Sequence, residues 1–149
     1  MSGLAAAGVE RPVKHRGRRF GLPQDGPGSV ASFGSRAVAF VVDCLASALV
    51  AGLVNVAGTA SDGTRSIAGF VVLFLELLLS VALAGQTVGM RLAGLRVLRP
   101  AAPDGMPGFL AALVRTVVLV GTAGVAALVS PDGRGLHDHA ARTVVVRAR

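Results

Sequence analysis

Two long apolar runs, separated by a short polar turn, constrain the fold of this chain more than any other feature. The first covers residues 37–58 with Asp43 as its one charged residue, and the second covers residues 66–85 with Glu76. At about 1.5 Å per helical residue, each run reaches about 30 Å, the thickness of a bilayer's hydrocarbon core. The turn between them is short, so the pattern predicts an antiparallel helical hairpin in a membrane.

The composition also indicates a membrane protein. Hydrophobic residues make up 52% of the chain and charged residues 15%, against about 25% charged in a soluble domain. The net charge of +7 could suggest nucleic acid, but most of the arginines flank apolar runs and no aromatic residues interleave with the N-terminal basic cluster. Such flanking charges are typical of topology signals and of contacts with anionic headgroups. We therefore expect a lipid bilayer with anionic headgroups as a partner, and no nucleic acid.

The remaining segments differ from the two apolar runs. Residues 1–34 are rich in Gly, Pro and Arg without a helical or strand period, which predicts a flexible basic cytoplasmic tail without a cleavable signal peptide. Residues 86–108 contain apolar and arginine side chains at helical spacing, typical of a basic amphipathic piece at the interface, with a possible strand at "LRVL". A third apolar stretch, residues 109–130, contains Arg115, and a basic tail ending in "TVVV" follows it.

The side of the membrane on which the chain ends is left with two alternatives. Basic residues before the first run and in the 86–108 segment place both in the cytoplasm by the positive-inside rule. If residues 109–130 form a full span, the four arginines of the C-terminal tail lie outside, against the rule. If that stretch instead re-enters and returns, breaking near "GTAG", the tail is cytoplasmic and "TVVV" can pair with "LRVL". Length alone favours the full span.

Ionisable side chains inside the apolar runs are the candidate functional residues, because such residues are costly in lipid and usually face a partner or a wet cavity. Asp43 and Arg115 lie at similar depths, and we predict that they pair, which could also serve only to fix helix register. Arg36 lies two turns before Asp43 on the same helix face, which makes a direct contact marginal. Glu76 is predicted to lie near the midplane as a neutral carboxyl, either a proton or cation site or a hydrogen-bonded structural group.

Several segments together resemble the RDD family of small bacterial integral membrane proteins, which is named for one arginine and two aspartates. Arg36 and Asp43 look like the first Arg and Asp of the family, and Asp138 like the second aspartate. The resemblance covers about residues 35–146, and the stretch between Arg115 and Asp138 is shorter than the family implies. Met90 stands where the family often has Lys. The motif residues that carry the resemblance besides the charged ones are Gly85, Thr87 and Gly89 of "GQTVGMRLAGLRV" and His137 of "GLHDHAARTVVV".

Chemistry of other kinds is not supported by the sequence. "GQTVGM" lacks the Gly-Lys-Ser/Thr of a phosphate loop. His137 and His139 do not share a helix face, so a metal site is not expected. The one cysteine, Cys44, cannot form an intrachain disulfide. We expect no enzyme activity, no cofactor and no metal.

The sequence as a whole predicts an all-α integral membrane protein of the bacterial plasma membrane. It would be multi-pass, with a cytoplasmic N-terminus, a membrane domain over residues 35–146 and residues 147–149 as the end of the tail. The expected function is that of a non-catalytic accessory or structural subunit of a larger membrane complex, for example a respiratory or transport complex. The alternative is a homo-oligomeric proton or cation transporter that uses Glu76 and Asp43. The expected protein partners are accordingly other membrane subunits or copies of the chain itself.

Overall fold

Five helices and two short strands make up the described part of the chain in a computed structural model, which describes residues 17–55, 61–102, 104–122 and 134–149. A short 3-10 turn at Arg18–Phe20 precedes them. The elements, in chain order, are α1 (Phe33–Asn55), α2 (Asp62–Ala84), α3 (Val88–Leu92), β1 (Leu95–Leu98), α4 (Gly108–Gly121), α5 (Leu136–Ala140) and β2 (Val144–Arg147).

The two predicted spans are present as α1 and α2, and both are long and apolar enough to cross a membrane. Each has 23 residues, or about 35 Å of helix. α2 begins where the Ser61 side chain accepts a hydrogen bond from the N–H of Thr64, and it ends at Gly85, which has φ 66°. A left-handed glycine of this kind is a common way to stop a helix.

α2 lies in the middle of the helical part and packs against both α1 and α4. Gly69 of α2 faces Ala51 of α1, and a Cβ at Gly69 would lie 3.8 Å from the Ala51 Cβ. Small residues at such a crossing allow the two helix backbones to approach closely, as is usual between helices in membranes. The core then continues through Leu78 and Val81 of α2 to Ala112 of α4.

The third apolar segment forms a shorter helix than the prediction over residues 109–130. α4 has 14 residues, or about 21 Å, against a hydrocarbon core of about 30 Å. Residues 123–130 of the predicted segment lie outside the described residues. α4 is therefore too short to cross a bilayer by itself.

The strands "LRVL" and "TVVV" are paired, as the re-entrant alternative allowed, and the predicted all-α fold is corrected by this two-stranded sheet. β1 and β2 are antiparallel, with Leu95 opposite Arg147 and Leu98 opposite Val144. Ahead of α1, Val30 forms a bridge to Val146, and the N–H of Ala31 donates to the carbonyl of Val145 at 2.9 Å. The predicted flexible tail of residues 1–34 is thus wrong for its last residues, since Gly28–Ala31 are hydrogen-bonded to β2. Residues 1–16 lie outside the described residues.

The strand pair gathers distant parts of the chain at one end of the long helices. The N–H of Val97 in β1 donates to the carbonyl of Gly85, directly after α2, at 2.7 Å. Because Ala31 lies two residues before α1 and also bonds to β2, the start of α1, the end of α2 and the C-terminal strand lie together. We call this end of the molecule the strand end.

Candidate functional site: a buried charge cluster at the strand end

Asp138 of α5 is the centre of a buried charge cluster. Its side chain is fully buried, and Oδ2 lies 3.1 Å from Nη1 of Arg36 in α1. Oδ1 pairs with Nη1 of Arg115 in α4. One carboxylate therefore joins three helices, and its two arginine partners lie in α1 and α4, which both pack against α2.

Local bonds fix the Asp138 carboxylate in place. The N–H of Gly135 donates to Oδ2 at 3.3 Å, and the hydroxyl of Thr143 donates to Oδ1 at 3.3 Å. The N–H of Thr143 donates to the Asp138 carbonyl at 2.9 Å. A carboxylate that accepts several hydrogen bonds as well as ion pairs is held in one orientation. These bonds therefore also fix the position of the short helix α5.

Arg134 holds the backbone of the same segment. Its Nη2 donates to the carbonyl of Asp138 and its Nε to the carbonyl of Thr143, both at 2.9 Å. The guanidinium carbon lies 5.0 Å from the centre of the Phe20 ring, within the range of a cation–π contact. Arg134 therefore ties the segment before α1 to α5 and β2.

The ion pairs of this cluster are enclosed. Arg36 is 9% exposed and Arg115 is 4% exposed, and both share Asp138. Removing an ionised group from water costs several kcal/mol unless it is paired and hydrogen-bonded. The buried Asp138 carboxylate thus compensates the charges of Arg36 and Arg115.

The predicted pair between Asp43 and Arg115 is wrong. Asp43 Oδ2 accepts from the Thr87 hydroxyl at 2.6 Å, and Oδ1 accepts from the N–H of Gly89 at 2.5 Å. Arg115 pairs with Asp138 instead. Similar depth did not decide the pairing. Asp43 is bound by polar groups at the start of α3, and Arg115 is paired with the carboxylate of α5.

Each residue of the Gly85-x-Thr87-x-Gly89 motif has a structural role. Gly85 ends α2 in the left-handed region. The Thr87 hydroxyl accepts from the N–H of Met90 at 3.1 Å, which caps α3, and donates to Asp43. A Cβ on Gly89 would overlap the carbonyl oxygen of Ala39. The motif thus allows α3 to lie directly against α1.

Glu76 of α2 is hydrogen-bonded within the chain. Its Oε1 accepts from the hydroxyl of Ser80 and from the N–H of Val88, both at 3.3 Å. Its Oε2 is buried and accepts no hydrogen bond from the residues that the structure describes. Two carboxylates of the long apolar helices, Asp43 and Glu76, therefore accept hydrogen bonds from the first N–H groups of α3. Negative charge at a helix start is favourable, because those N–H groups have no partner within the helix.

The two histidines of the C-terminal motif differ in their surroundings. His137 is 4% exposed, and its Nε2 lies 3.6 Å from Oδ1 of Asp138. His139 is exposed. Within the described ranges, no group of three or more His, Cys, Asp or Glu side chains is placed to hold a metal ion.

A cavity of about 300 Å³ lies beside the cluster. It is lined by residues of α1 and α4, and also by Leu77 and Val81 of α2. Besides apolar side chains, its lining includes Arg36, Asp43 and Arg115. The sequence-predicted charges of α1 and α4 are therefore brought to one cavity, whereas Glu76 is not among its lining residues.

Sequence reasoning missed Thr143, Arg134 and Ser80 as partners of the charged residues. Ser80 lies one helical turn after Glu76, a spacing that could have indicated its bond to that carboxyl. Thr143 and Arg134 lie within a few residues of Asp138, but their roles depend on the turn between α5 and β2, which has no simple sequence signal.

Comparison with known proteins gives one family. The model of the RDD family matches residues 30–142 of the chain. No curated protein and no solved structure matches it. The matched range includes Arg36, Asp43, Arg115 and Asp138, so it contains both the charge cluster and the anchor of α3.

Proposed function

Because the chain belongs to the RDD family, a membrane-associated family of small proteins, we propose that it is a non-catalytic accessory subunit of a larger complex in the bacterial plasma membrane. The observation that supports this proposal is that the charged side chains of the helices point inward while the apolar side chains of the long helices point outward. The charged side chains of the helices are used in bonds within the chain, whereas the long helices expose most of their apolar surface.

The exposed surface includes a regular leucine row on each long helix. Leu45, Leu49 and Leu53 follow one another at intervals of four residues on α1 and are about two thirds exposed. Residues four apart lie on one face of a helix. A second row on α2 consists of Leu75, Leu79 and Leu83. Such rows fit acyl chains or the apolar helices of other subunits.

A pathway through the chain alone has little support. α4 covers about 21 Å, so within the residues that the structure describes two helices are long enough to cross the bilayer. Two helices cannot enclose a route for a solute. The proposal therefore assigns the chain a supporting role, in which the charge cluster holds one end of the hairpin rigid against its partners.

The topology that fits this role has both termini in the cytoplasm. The strand end contains Arg18 and Arg19, as well as Arg91 and Arg147, and basic residues beside spans favour the cytoplasm. β1 and β2 are hydrogen-bonded, which supports a topology with both strands on one side of the membrane. This supports the re-entrant alternative for residues 109–130 over a third full span.

The test is purification of the tagged full-length chain in a mild detergent, followed by quantitative mass spectrometry. We expect at least one other membrane protein to be recovered in a fixed ratio to the chain. An Arg36→Gln and Asp138→Asn double variant should lose that partner, while Leu22→Ala, outside the cluster, should retain it. Recovery of the chain as a lone monomer from native membranes would contradict the proposal.

A second candidate, a homo-oligomeric proton or cation transporter, is favoured by one observation at Glu76. Its Oε2 is buried without a hydrogen bond from the described residues, and its Oε1 shares the start of α3 with Asp43. Glu76→Gln should then abolish flux in proteoliposomes while the fold persists. Asp62→Asn, at a fully exposed side chain, is the matched control. Absence of flux in the parent protein would remove this candidate.

A further inference from the structure

The cavity between α1 and α4 combines an apolar wall with buried cationic side chains. Phe40, Leu77, Val81 and Leu119 supply much of its wall. At about 300 Å³ it has the volume of a small ligand site, since such sites span about 300–1,000 Å³. The cavity is thus large enough to take part of a molecule and apolar enough to favour an acyl chain.

The cationic groups lie at one end of this cavity. Arg36 is in the first turn of α1, and Arg115 meets it across the shared Asp138 carboxylate. Among the described residues, two guanidinium groups thus face one carboxylate. Arginine binds phosphate oxygens well because its planar guanidinium presents several donors in a fixed geometry.

Asp43 also lines the cavity, but it lies at a different place. It is seven residues after Arg36, or about 10 Å further along α1. Each of its oxygens already accepts a hydrogen bond, from Thr87 and from Gly89. Its charge is therefore directed at the start of α3, away from the arginine end.

The opening of the cavity faces the apolar surface of the molecule. Phe33 and Val41 line the cavity and are 48% and 55% exposed. Both belong to α1, whose outer face is otherwise apolar. A ligand that enters here comes from the bilayer and not from water, which excludes small water-soluble anions as the best fit.

From these observations we propose that the cavity is a binding site for an anionic phospholipid of the cytoplasmic leaflet. The phosphodiester binds at the Arg36 and Arg115 end, and part of one acyl chain lies along the apolar wall. Basic pockets between membrane helices on the cytoplasmic side are suited to anionic headgroups.

The experiment is native mass spectrometry of the full-length, delipidated protein in detergent. It is mixed with phosphatidylglycerol or with phosphatidylcholine of the same acyl chains. We expect one phosphatidylglycerol per chain, at an occupancy at least tenfold above that of phosphatidylcholine. Equal occupancy of the two lipids would overturn the proposal.

Two variants and a control locate the site. Ala37→Phe fills the cavity from α1 without changing charge, and it should lower phosphatidylglycerol occupancy at least tenfold. Arg115→Gln should remove the preference for the anionic lipid; if it does not fold, Ala37→Phe alone decides. Arg91→Gln removes an exposed arginine of α3 outside the cavity, so its occupancy should equal that of the parent. Unchanged occupancy in Ala37→Phe would overturn the proposal.

A competition arm separates a lipid site from a simple phosphate site. Inorganic phosphate is added to the phosphatidylglycerol complex at increasing concentration. We expect no displacement at millimolar phosphate, because the acyl chain contributes to binding and phosphate has no group to occupy the apolar wall. Displacement at that concentration would show a site for free phosphate and would refute the lipid assignment.

Discussion

Arg36 and Asp138 are 102 residues apart in the chain, yet Nη1 of the first lies 3.1 Å from Oδ2 of the second in a buried site. Arg115 meets the other oxygen of the same carboxylate. The start of α1, the middle of α4 and the short helix α5 are therefore held together by one acidic side chain.

Asp138→Asn should be strongly destabilising. It removes the carboxylate charge that two buried guanidinium groups share, and the loss of one partner from a buried ion pair typically costs about 3–5 kcal/mol. The chain has no Trp or Tyr, so unfolding is best followed by helical circular dichroism in detergent with a chemical denaturant. We expect a clear fall in the free energy of unfolding.

The matched control for this substitution is Asp25→Asn, at an exposed aspartate in the segment before α1. Surface changes of this kind usually alter stability by less than about 0.5 kcal/mol. If both variants unfolded at the same denaturant concentration as the parent, Asp138 would not be the electrostatic centre of the fold.

Asp43 and Thr87 should be energetically coupled. The Thr87 hydroxyl donates to Asp43 at 2.6 Å while it caps α3. Hydrogen bonds to charged groups contribute about 1.5–3 kcal/mol. In a double-mutant cycle of Asp43→Asn and Thr87→Val, the loss of unfolding free energy in the double variant should therefore be smaller than the sum of the two single losses. We expect the difference to be about 1 kcal/mol or more.

The cycle is measured by denaturant unfolding of the parent, both single variants and the double variant. A second cycle between Asp43→Asn and Thr64→Val supplies the comparison, since Thr64 lies at the far end of α2. Additive effects in the first cycle would argue against a direct bond between the Asp43 carboxylate and the Thr87 hydroxyl.

The long helices could be predicted from sequence, because a run of apolar residues with the length of a bilayer has few alternative structures. The strand pair was also accessible, since "LRVL" and "TVVV" are short β-branched and apolar segments with polar neighbours. In both cases the signal lies within a few consecutive residues. The two long helices begin at Phe33 and Asp62, four residues before the apolar runs that predicted them.

The charge pairing could not be predicted in the same way. Depth in the membrane suggested Asp43 and Arg115 as partners, but depth fixes one coordinate and leaves the rotation of each helix open. α3 and α5 have five residues each, too few for a recognisable period. Their packing decides that Asp43 meets Gly89 and that Arg115 meets Asp138.

Gly89→Ala should disrupt the packing of α3 against α1. A Cβ at this position would overlap the carbonyl of Ala39, so either α3 moves away from α1 or the Asp43 bond is lost. Overpacking of this kind typically costs about 1–3 kcal/mol. Thermal unfolding should show a lower midpoint, and Cys44, beside Asp43, should react faster with a thiol reagent.

Gly52→Ala is the control for that experiment, since an added Cβ on Gly52 in α1 meets nothing within 4 Å. Alanine is a better helix former than glycine by about 1 kcal/mol. The control should therefore be neutral or slightly stabilising. A Gly89→Ala protein as stable as Gly52→Ala would mean that α3 does not lie against Ala39.

The C-terminus should face the same side of the membrane as the segment before α1, because both are hydrogen-bonded to one strand pair. Single cysteines at Asp62 and at Ala148, in a Cys44→Ser background, test this with a membrane-impermeant maleimide on spheroplasts. Both positions are exposed, so burial does not limit the reaction. We expect Asp62→Cys to react in intact spheroplasts and Ala148→Cys only after permeabilisation. Reaction of Ala148→Cys without permeabilisation would place the tail outside, which is incompatible with a cytoplasmic β1 paired to β2.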